Sequence, residues 1–156
     1  MKGYTFYSKS SGLEISVITA TKENRIQGRV RLRLFPLEEG GREKQVVLML
    51  NPLEAFSLHR RIVQTVEMGK GLQNVLIHKS ERDGTESTAY LNVDVWEKGG
   101  KRGFGFTAGR KSGDKKRRVA IPLDEDAMLF AAELLRQYAV DSAYEERGVE
   151  AEEIPF

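Results

Sequence analysis

Within the segment 26–34, arginines occupy every second position from 29 to 33, and aliphatic residues stand between them. Alternation of this kind predicts a β-strand with Arg29, Arg31 and Arg33 on one face and an apolar, core-facing side opposite. Cations in one row repel each other unless an anion lies across them, and no acidic residue interrupts the segment. The row therefore indicates contact with phosphate groups. A solvated outer face is the alternative.

A second alternating segment, Ala89–Trp96, places its aromatic residues on the polar side. Its aliphatic residues define a core face, so Tyr90 and Trp96, the only tryptophan of the chain, are expected to point outward. Exposed aromatic rings on a strand can stack on nucleic-acid bases. Burial against another subunit or a helix is the alternative interpretation of both residues.

A third segment, Arg102–Arg110, combines phenylalanines with glycines. Phe104 and Phe106 share a face with the two arginines at the ends of the segment. Aromatic side chains beside glycines and arginines are typical of a stacking platform for single-stranded nucleic acid. The same alternation fits two core residues, and both interpretations remain open.

The charge of the chain is unevenly distributed. Its net charge is +2, but residues 141–156 carry −5 and residues 1–140 carry +7. The segment 98–118 has nine basic residues, Lys101 and Lys111 among them, and a single acid. A basic body with an acidic tail indicates a polyanionic partner.

The composition excludes several kinds of chemistry. The chain of 156 residues has no cysteine, which excludes disulfides, iron–sulfur clusters, thiolate zinc sites and a cysteine nucleophile. Its two histidines, His59 and His78, leave little for a histidine metal site. We therefore expect no catalytic residue, no metal and no cofactor. No apolar run is long enough for a membrane span, and we expect a cytoplasmic, nucleoid-associated protein.

The elements that position these residues follow from helix and strand signals. Val46–Leu50 is apolar like a buried strand, and the next residues, 51–54, combine a capping asparagine, a proline and a capping-box glutamate. This pattern predicts a helix that ends near Met68. A similar unit is predicted later in the chain. It consists of a second strand over 118–121 and a helix over 122–138 that begins at its proline.

Three further strands are predicted before each helix, separated by turns rich in glycine, serine and charged residues. They span about 3–9, 13–21, 26–35, 74–79, 87–97 and 102–110. Each half is therefore β-β-β-β-α. The sequence predicts an α+β fold of two β4-α units, in which antiparallel sheets are covered by helices.

A shift of 72 residues superposes the two halves. In this register Phe104 and Phe106 fall on Leu32 and Leu34, which are predicted core residues. The pattern predicts a single nucleic-acid-binding domain built from two pseudo-repeats, and a flexible acidic tail after it. The expected boundaries are 1–140 for the domain, 1–73 and 74–140 for the pseudo-repeats, and 141–156 for the tail.

The tail joins acidic residues to a hydrophobic tripeptide: Glu152 and Glu153 precede Ile154, Pro155 and Phe156. These residues closely resemble the C-terminal tip of bacterial single-stranded DNA-binding proteins, an acidic run that closes in Ile-Pro-Phe. Glutamates stand where that family usually has aspartates. The resemblance implies that the five residues bind replication, recombination and repair proteins.

The doubled β4-α order of the body resembles the Whirly and Pur-alpha group of single-stranded nucleic-acid binders. In general character it is also similar to the archaeal ThermoDBP-related proteins. The five-stranded barrel of bacterial single-stranded DNA-binding proteins does not fit two halves that each end in a helix. The resemblance implies sheets that bind single strands by stacking and basic residues, in a homo-oligomer.

These patterns together predict a non-enzymatic protein that binds and protects single-stranded DNA with little sequence preference. The residues expected to contact phosphates are Arg29, Arg31, Arg33, Lys101, Arg102, Arg110 and Lys111. The residues expected to stack on bases are Tyr90, Trp96, Phe104 and Phe106. The alternatives are an RNA-binding or transcription-modulating protein of the same fold, a tail-mediated adaptor and, last, an enzyme such as a nuclease.

Overall fold

The computed structural model describes residues 2–18, 29–38 and 40–143. Four strands precede the first helix and four precede the second, and a short 3₁₀ helix, Gly41–Lys44, joins the third and fourth strands. The elements are β1 (Lys2–Tyr7), β2 (Ser11–Ile18), β3 (Arg29–Pro36), β4 (Val46–Leu50), α1 (Pro52–Met68), β5 (Leu72–Arg82), β6 (Thr85–Lys98), β7 (Lys101–Ser112), β8 (Lys115–Leu123) and α2 (Glu125–Ala143).

Each sheet is an antiparallel meander in chain order, β1-β2-β3-β4 in the first and β5-β6-β7-β8 in the second. The long strands of the second sheet are joined by two-residue turns at 83–84, 99–100 and 113–114, which contain the glycines expected of tight hairpins. The predicted α+β fold of two β4-α units is confirmed. Every strand and helix of the second half overlaps its first-half counterpart after a shift of 72 residues.

One hydrophobic core is shared by both sheets and both helices. The core contains the alternating apolar residues of the first sheet, as the sequence predicts: Leu13, Ile15 and Val17 of β2, Val30, Leu32 and Leu34 of β3, and Val46, Leu48 and Leu50 of β4. On the second sheet the same holds for Ala89, Leu91 and Val93 of β6. Each sheet therefore has a core face and an opposite, outer face.

The first helix begins as its sequence predicts. The Asn51 side chain accepts a hydrogen bond from the Glu54 backbone N–H at 2.8 Å, and the Glu54 carboxylate accepts one from the Asn51 N–H at 3.0 Å. This reciprocal capping box satisfies two amides that the helix itself cannot. The other oxygen of Glu54 lies 2.8 Å from His78 Nε2 on β5, so the cap also joins α1 to the second sheet.

The second helix begins later than predicted. Pro122 belongs to β8, and the helix cap is Asp124, whose side chain accepts a hydrogen bond from the Ala127 N–H at 2.8 Å. A proline fits this strand because β8 is at the edge of its sheet, where one row of amides needs no partner strand. The helix also extends past the predicted end near 138, to Ala143.

Candidate nucleic-acid interface

The outer face of the second sheet carries two of the predicted stacking residues. Tyr90 and Trp96 of β6 point away from the core face, as the sequence predicts, and are directly opposite Gly109 and Gly103 of β7. The helices lie on the other side of the sheet, where α1 contacts β5 through the Glu54–His78 hydrogen bond. We call this outer surface, centred on Tyr90 and Trp96, the aromatic face.

Both rings of the aromatic face lie directly over glycines of β7, where no side chain is present beneath them. A Cβ atom added to Gly103 would overlap the Trp96 indole, and one added to Gly109 would overlap the Tyr90 ring. Glycine is needed at both positions because only a bare backbone allows this close approach. Trp96 still exposes 41% of its surface, so its outer side is available to a ligand.

Polar residues between the two rings are held by hydrogen bonds within the sheet. Thr107 donates its hydroxyl proton to the Asp94 carboxylate at 2.6 Å. Asn92 accepts a hydrogen bond from the Asn74 N–H at 2.8 Å, at the bulge where β5 departs from regular pairing. The polar side chains between Tyr90 and Trp96 are therefore engaged within the protein. The two rings and the neighbouring lysines are the groups that remain to bind a ligand.

Lysines flank the aromatic face at both ends. Lys101 is two residues from Gly103, beside Trp96, and Lys111 is two residues from Gly109, beside Tyr90. Within residues 2–18, 29–38 and 40–143, neither lysine forms an ion pair. An aromatic ring with a solvated cation next to it therefore occurs twice on the same strand pair, which is an arrangement suited to a base and its phosphate.

Phe104 and Phe106 do not belong to this surface. They expose 1% and 3% of their area and form part of the shared core. The prediction that they stack on bases is therefore wrong, and the alternative, core packing, is correct. Strand alternation places them on the face of β7 opposite to the glycines, and that face is covered by the rest of the protein.

Arg102 and Arg110 share this inner side of β7 and have structural partners. Arg110 donates to the Val47 carbonyl at 2.9 Å and to the Ser87 hydroxyl at 3.0 Å, and so connects the two sheets. Arg102 lies against Gly69, the residue that ends α1, and 3.6 Å from the Glu97 carboxylate. A cation is favourable at a helix C-terminus, where carbonyl groups point outward. We assign these two arginines to the fold rather than to phosphate contacts.

The arginine row lies on the outer face of the first sheet, as predicted, but an anion already lies across it. Glu14 of β2 forms ion pairs with Arg31 at 2.5 Å and with Arg33 at 3.3 Å. The Arg33 guanidinium also lies 4.3 Å from the centre of the Phe35 ring. Mutual repulsion in the row is therefore relieved within the protein, by a carboxylate that the sequence places 17 residues away from Arg31.

These contacts affect the ionisation of Glu14. Burial raises its pKa, but the hydrogen bonds and charges of Arg33 and Arg31 together outweigh burial and hold the pKa below its ordinary value. A carboxylate with a lowered folded-state pKa stabilises the protein at pH values above its unfolded pKa of about 4.3. This stabilisation is lost as the pH falls through the folded-state pKa.

Glu14→Gln tests whether the arginine row binds phosphates. The substitution keeps the shape of the side chain but removes the charge that holds Arg31 and Arg33. We expect tighter binding of oligo-dT and a salt dependence of log K that is steeper by about 0.7 for each arginine released. Titrations at several salt concentrations measure both. Glu133→Gln, which breaks an acid–arginine pair on α2, is the control, and equal affinity of the two variants would remove the row from the site.

The predicted site residues thus fall into separate groups. Tyr90, Trp96, Lys101 and Lys111 are brought together on the aromatic face, while the arginine row is on the other sheet. Sequence reasoning missed Glu14 and also two aromatic residues near the row, Phe35 and Tyr7, whose ring centres are 6.4 Å apart. The proposed partner-binding residues Glu152, Glu153, Ile154, Pro155 and Phe156 lie outside the described residues.

Over the part of the chain that the structure describes, no helix is long and apolar enough to cross a membrane. The same residues contain no group of three or more histidine, aspartate or glutamate side chains arranged to hold a metal ion.

No protein-family model and no curated protein matches the sequence. Among solved structures, the chain is similar to WHY1 from Arabidopsis thaliana, with a TM-score of 0.60 and 14% identity over 91% of this chain and 90% of that one. The chain shares the fold of this Whirly protein. WHY3 from the same plant matches with a TM-score of 0.58 and 14% identity, covering 90% and 88% of the two chains.

A third similar structure is that of the plant transcriptional regulator PBF-2. It has a TM-score of 0.57 and 15% identity, and the match covers 97% of this chain and 92% of that one. The predicted resemblance of the body to Whirly proteins is therefore confirmed for the fold. At this low identity, the similarity shows a shared arrangement of strands and helices and does not extend to individual residues. The residues of the site are therefore assigned from their own geometry.

Proposed function

We propose that this protein is a non-enzymatic binder of single-stranded nucleic acid, DNA in the first place, and that the aromatic face is its binding surface. The observation that carries the proposal is the pair of rings, Tyr90 and Trp96, each seated over a glycine on an uncovered sheet face with a lysine beside it. Stacking on such rings tolerates any base because every base has a π-face, so we expect little sequence preference.

The spacing of the two rings fits a single strand of nucleic acid rather than an isolated nucleotide. Tyr90 and Trp96 are six residues apart on β6, which corresponds to about 20 Å along the strand. A single strand laid along β6 would place several nucleotides between the two rings, with phosphates near Lys101 and Lys111. A duplex keeps its bases stacked on each other, so it cannot offer them to both rings.

Anisotropy of a labelled oligo-dT, compared with a duplex of equal length at low and moderate salt, tests the proposal. We expect tight binding of the single strand alone, weakening with salt as counterions are released. Trp96 is the only tryptophan, so its fluorescence should be quenched by the bound bases. Binding without quenching would place the site elsewhere, and no binding to either ligand would overturn the function.

Transcription regulation is the second candidate, because one structural neighbour, PBF-2, is a plant transcriptional regulator. An RNA-binding role is chemically close, since stacking and phosphate contacts serve both nucleic acids. Competition between oligo-dT and oligo-U distinguishes DNA binding from RNA binding. The homo-oligomer stays a prediction, which light scattering of the free protein would check.

We further propose that the segment with Ile154, Pro155 and Phe156 recruits replication, recombination or repair proteins while the sheets protect the single strand. The support is the similarity of these residues to the tip of bacterial single-stranded DNA-binding proteins. In the same anisotropy assay, a variant without Phe156 should keep its affinity for oligo-dT. It should fail to hold a purified repair protein on the DNA, and equal retention by both forms would show that the similarity is coincidental.

A further inference from the structure

A cleft of about 530 Å³ lies where the two sheets meet. Its walls are the β1–β2 turn, the end of β3 and the edge strand β8. Pro36 and Leu37 give it apolar surface, and Lys9 and Arg118 are its basic residues. The volume is in the range of ordinary small-ligand sites.

The walls of the cleft are tied to each other by hydrogen bonds. The Ser8 hydroxyl accepts a bond from the Ser11 N–H at 3.0 Å, which shapes the β1–β2 turn. The Leu37 N–H donates to the Ser10 carbonyl at 3.0 Å, so the turn is joined to the end of β3. The Ser11 hydroxyl donates to the Ala120 carbonyl at 2.8 Å, which joins the turn to β8. The cleft is therefore a constant feature of the folded chain.

The electrostatic balance of the cleft is positive. Its acid, Glu38, is occupied by Lys44, whose Nζ lies 2.7 Å from the carboxylate and whose pKa is raised by that contact. Lys9 and Arg118 have no ion pair or hydrogen bond from their side chains within residues 2–18, 29–38 and 40–143. Two cations without a counter-ion beside an apolar wall suit a phosphate attached to a base.

Arg118 connects the cleft to the aromatic face. Tyr90, Gly109 and Arg118 are directly opposite each other on β6, β7 and β8, so the side chains of Tyr90 and Arg118 share the outer face of the sheet. Neighbouring strands are about 4.8 Å apart, which places the Arg118 backbone about 10 Å from that of Tyr90. Gly109 between them has no side chain that would separate the ring from the cleft.

We infer that a single strand stacked on Tyr90 continues across Gly109 into this cleft, where one nucleotide is held with its phosphate between Lys9 and Arg118 and its base against Leu37. The inference rests on the proposed function and extends it by a second subsite. The footprint of the protein then includes the junction of the sheets as well as the aromatic face.

The test uses a double charge reversal in the cleft, Lys9→Glu combined with Arg118→Glu. The control is Arg60→Glu combined with Arg61→Glu, which changes the net charge equally on the exposed side of α1. Each is titrated with oligo-dT of about four and about twelve nucleotides, which spans the usual site sizes. With the longer oligonucleotide, the cleft variant should lose at least about tenfold more affinity than the control. Its salt slope should fall by about 1.4, or 0.7 for each phosphate contact.

Trp96 quenching by the short oligonucleotide should survive in both variants, because the aromatic face is intact. Equal losses in the cleft variant and the control would overturn the cleft and leave the proposed function standing. Binding without quenching in the unaltered protein would instead place the site away from the aromatic face, and absence of binding would overturn the proposed function. Leu37→Ser tests the base contact without a change in charge, and we expect it also to weaken the longer oligonucleotide selectively. Thermal unfolding of each variant confirms that it is folded.

Discussion

Replacing Tyr90 and Trp96 together by alanine is expected to weaken the binding of oligo-dT by about 30-fold to 10⁴-fold. Stacking contributes about 1 to 3 kcal/mol for each base, and the loss of two such contacts corresponds to this range of affinity. Both rings lie on the uncovered side of the second sheet, so their removal should act on the ligand before it acts on the core. Anisotropy of a labelled oligonucleotide measures the change, since the variant has no tryptophan of its own.

Two further variants make this result specific. Phe56→Ala removes an aromatic ring of similar exposure from α1, away from the aromatic face, and should leave the affinity unchanged. Tyr90→Phe keeps the ring over Gly109 and should bind nearly as well as the unaltered protein. If the double alanine variant is folded, as its thermal unfolding would show, and binds oligo-dT normally, the aromatic face is not the site.

Phe104→Ala is expected to lower the free energy of unfolding by about 3 to 5 kcal/mol, which is the usual effect of emptying a buried phenylalanine site. This is a large part of the about 5 to 15 kcal/mol that stabilises a typical domain. The reason is burial: Phe104 exposes 1% of its area and belongs to the core that both sheets share. Denaturant unfolding followed by circular dichroism measures the loss.

The same experiment separates core residues from stacking residues on adjacent strands. Trp96→Ala should have a much smaller effect on unfolding than Phe104→Ala, because the indole is 41% exposed. The fraction of Phe104→Ala molecules that remains folded should bind oligo-dT with ordinary affinity. A folded Phe104→Ala variant with normal stability and impaired binding would return this residue to the nucleic-acid site.

Most of the fold could be predicted from local patterns. Alternating residues show which side chains share a face, and Asn51–Glu54 contains the whole capping signal of α1. The start of α2 could not be predicted from its proline, because Pro122 is equally compatible with an edge strand. Whether β8 is an edge strand depends on the order of strands in the sheet, which the local sequence does not contain.

The candidate site was only partly predictable, for a related reason. Alternation placed Phe104, Phe106, Arg102 and Arg110 together correctly, but it could not show that this side of β7 faces the core. The partner of the arginine row was hidden as well, because Glu14 reaches Arg31 and Arg33 through the pairing of β2 with β3. Long-range pairing decides both cases, and a single sequence carries no direct signal of it.

The seating of Tyr90 and Trp96 over glycines also bears on how tightly a strand can be held. A free aromatic side chain samples several rotamers, and fixing a side chain on binding costs about 0.5 to 1.5 kcal/mol of conformational entropy. Here the neighbouring backbone already restricts both rings before any ligand arrives. The entropy cost of restricting these rotamers therefore arises when the protein folds and not when the ligand binds. More of the stacking energy then contributes to the affinity for the single strand.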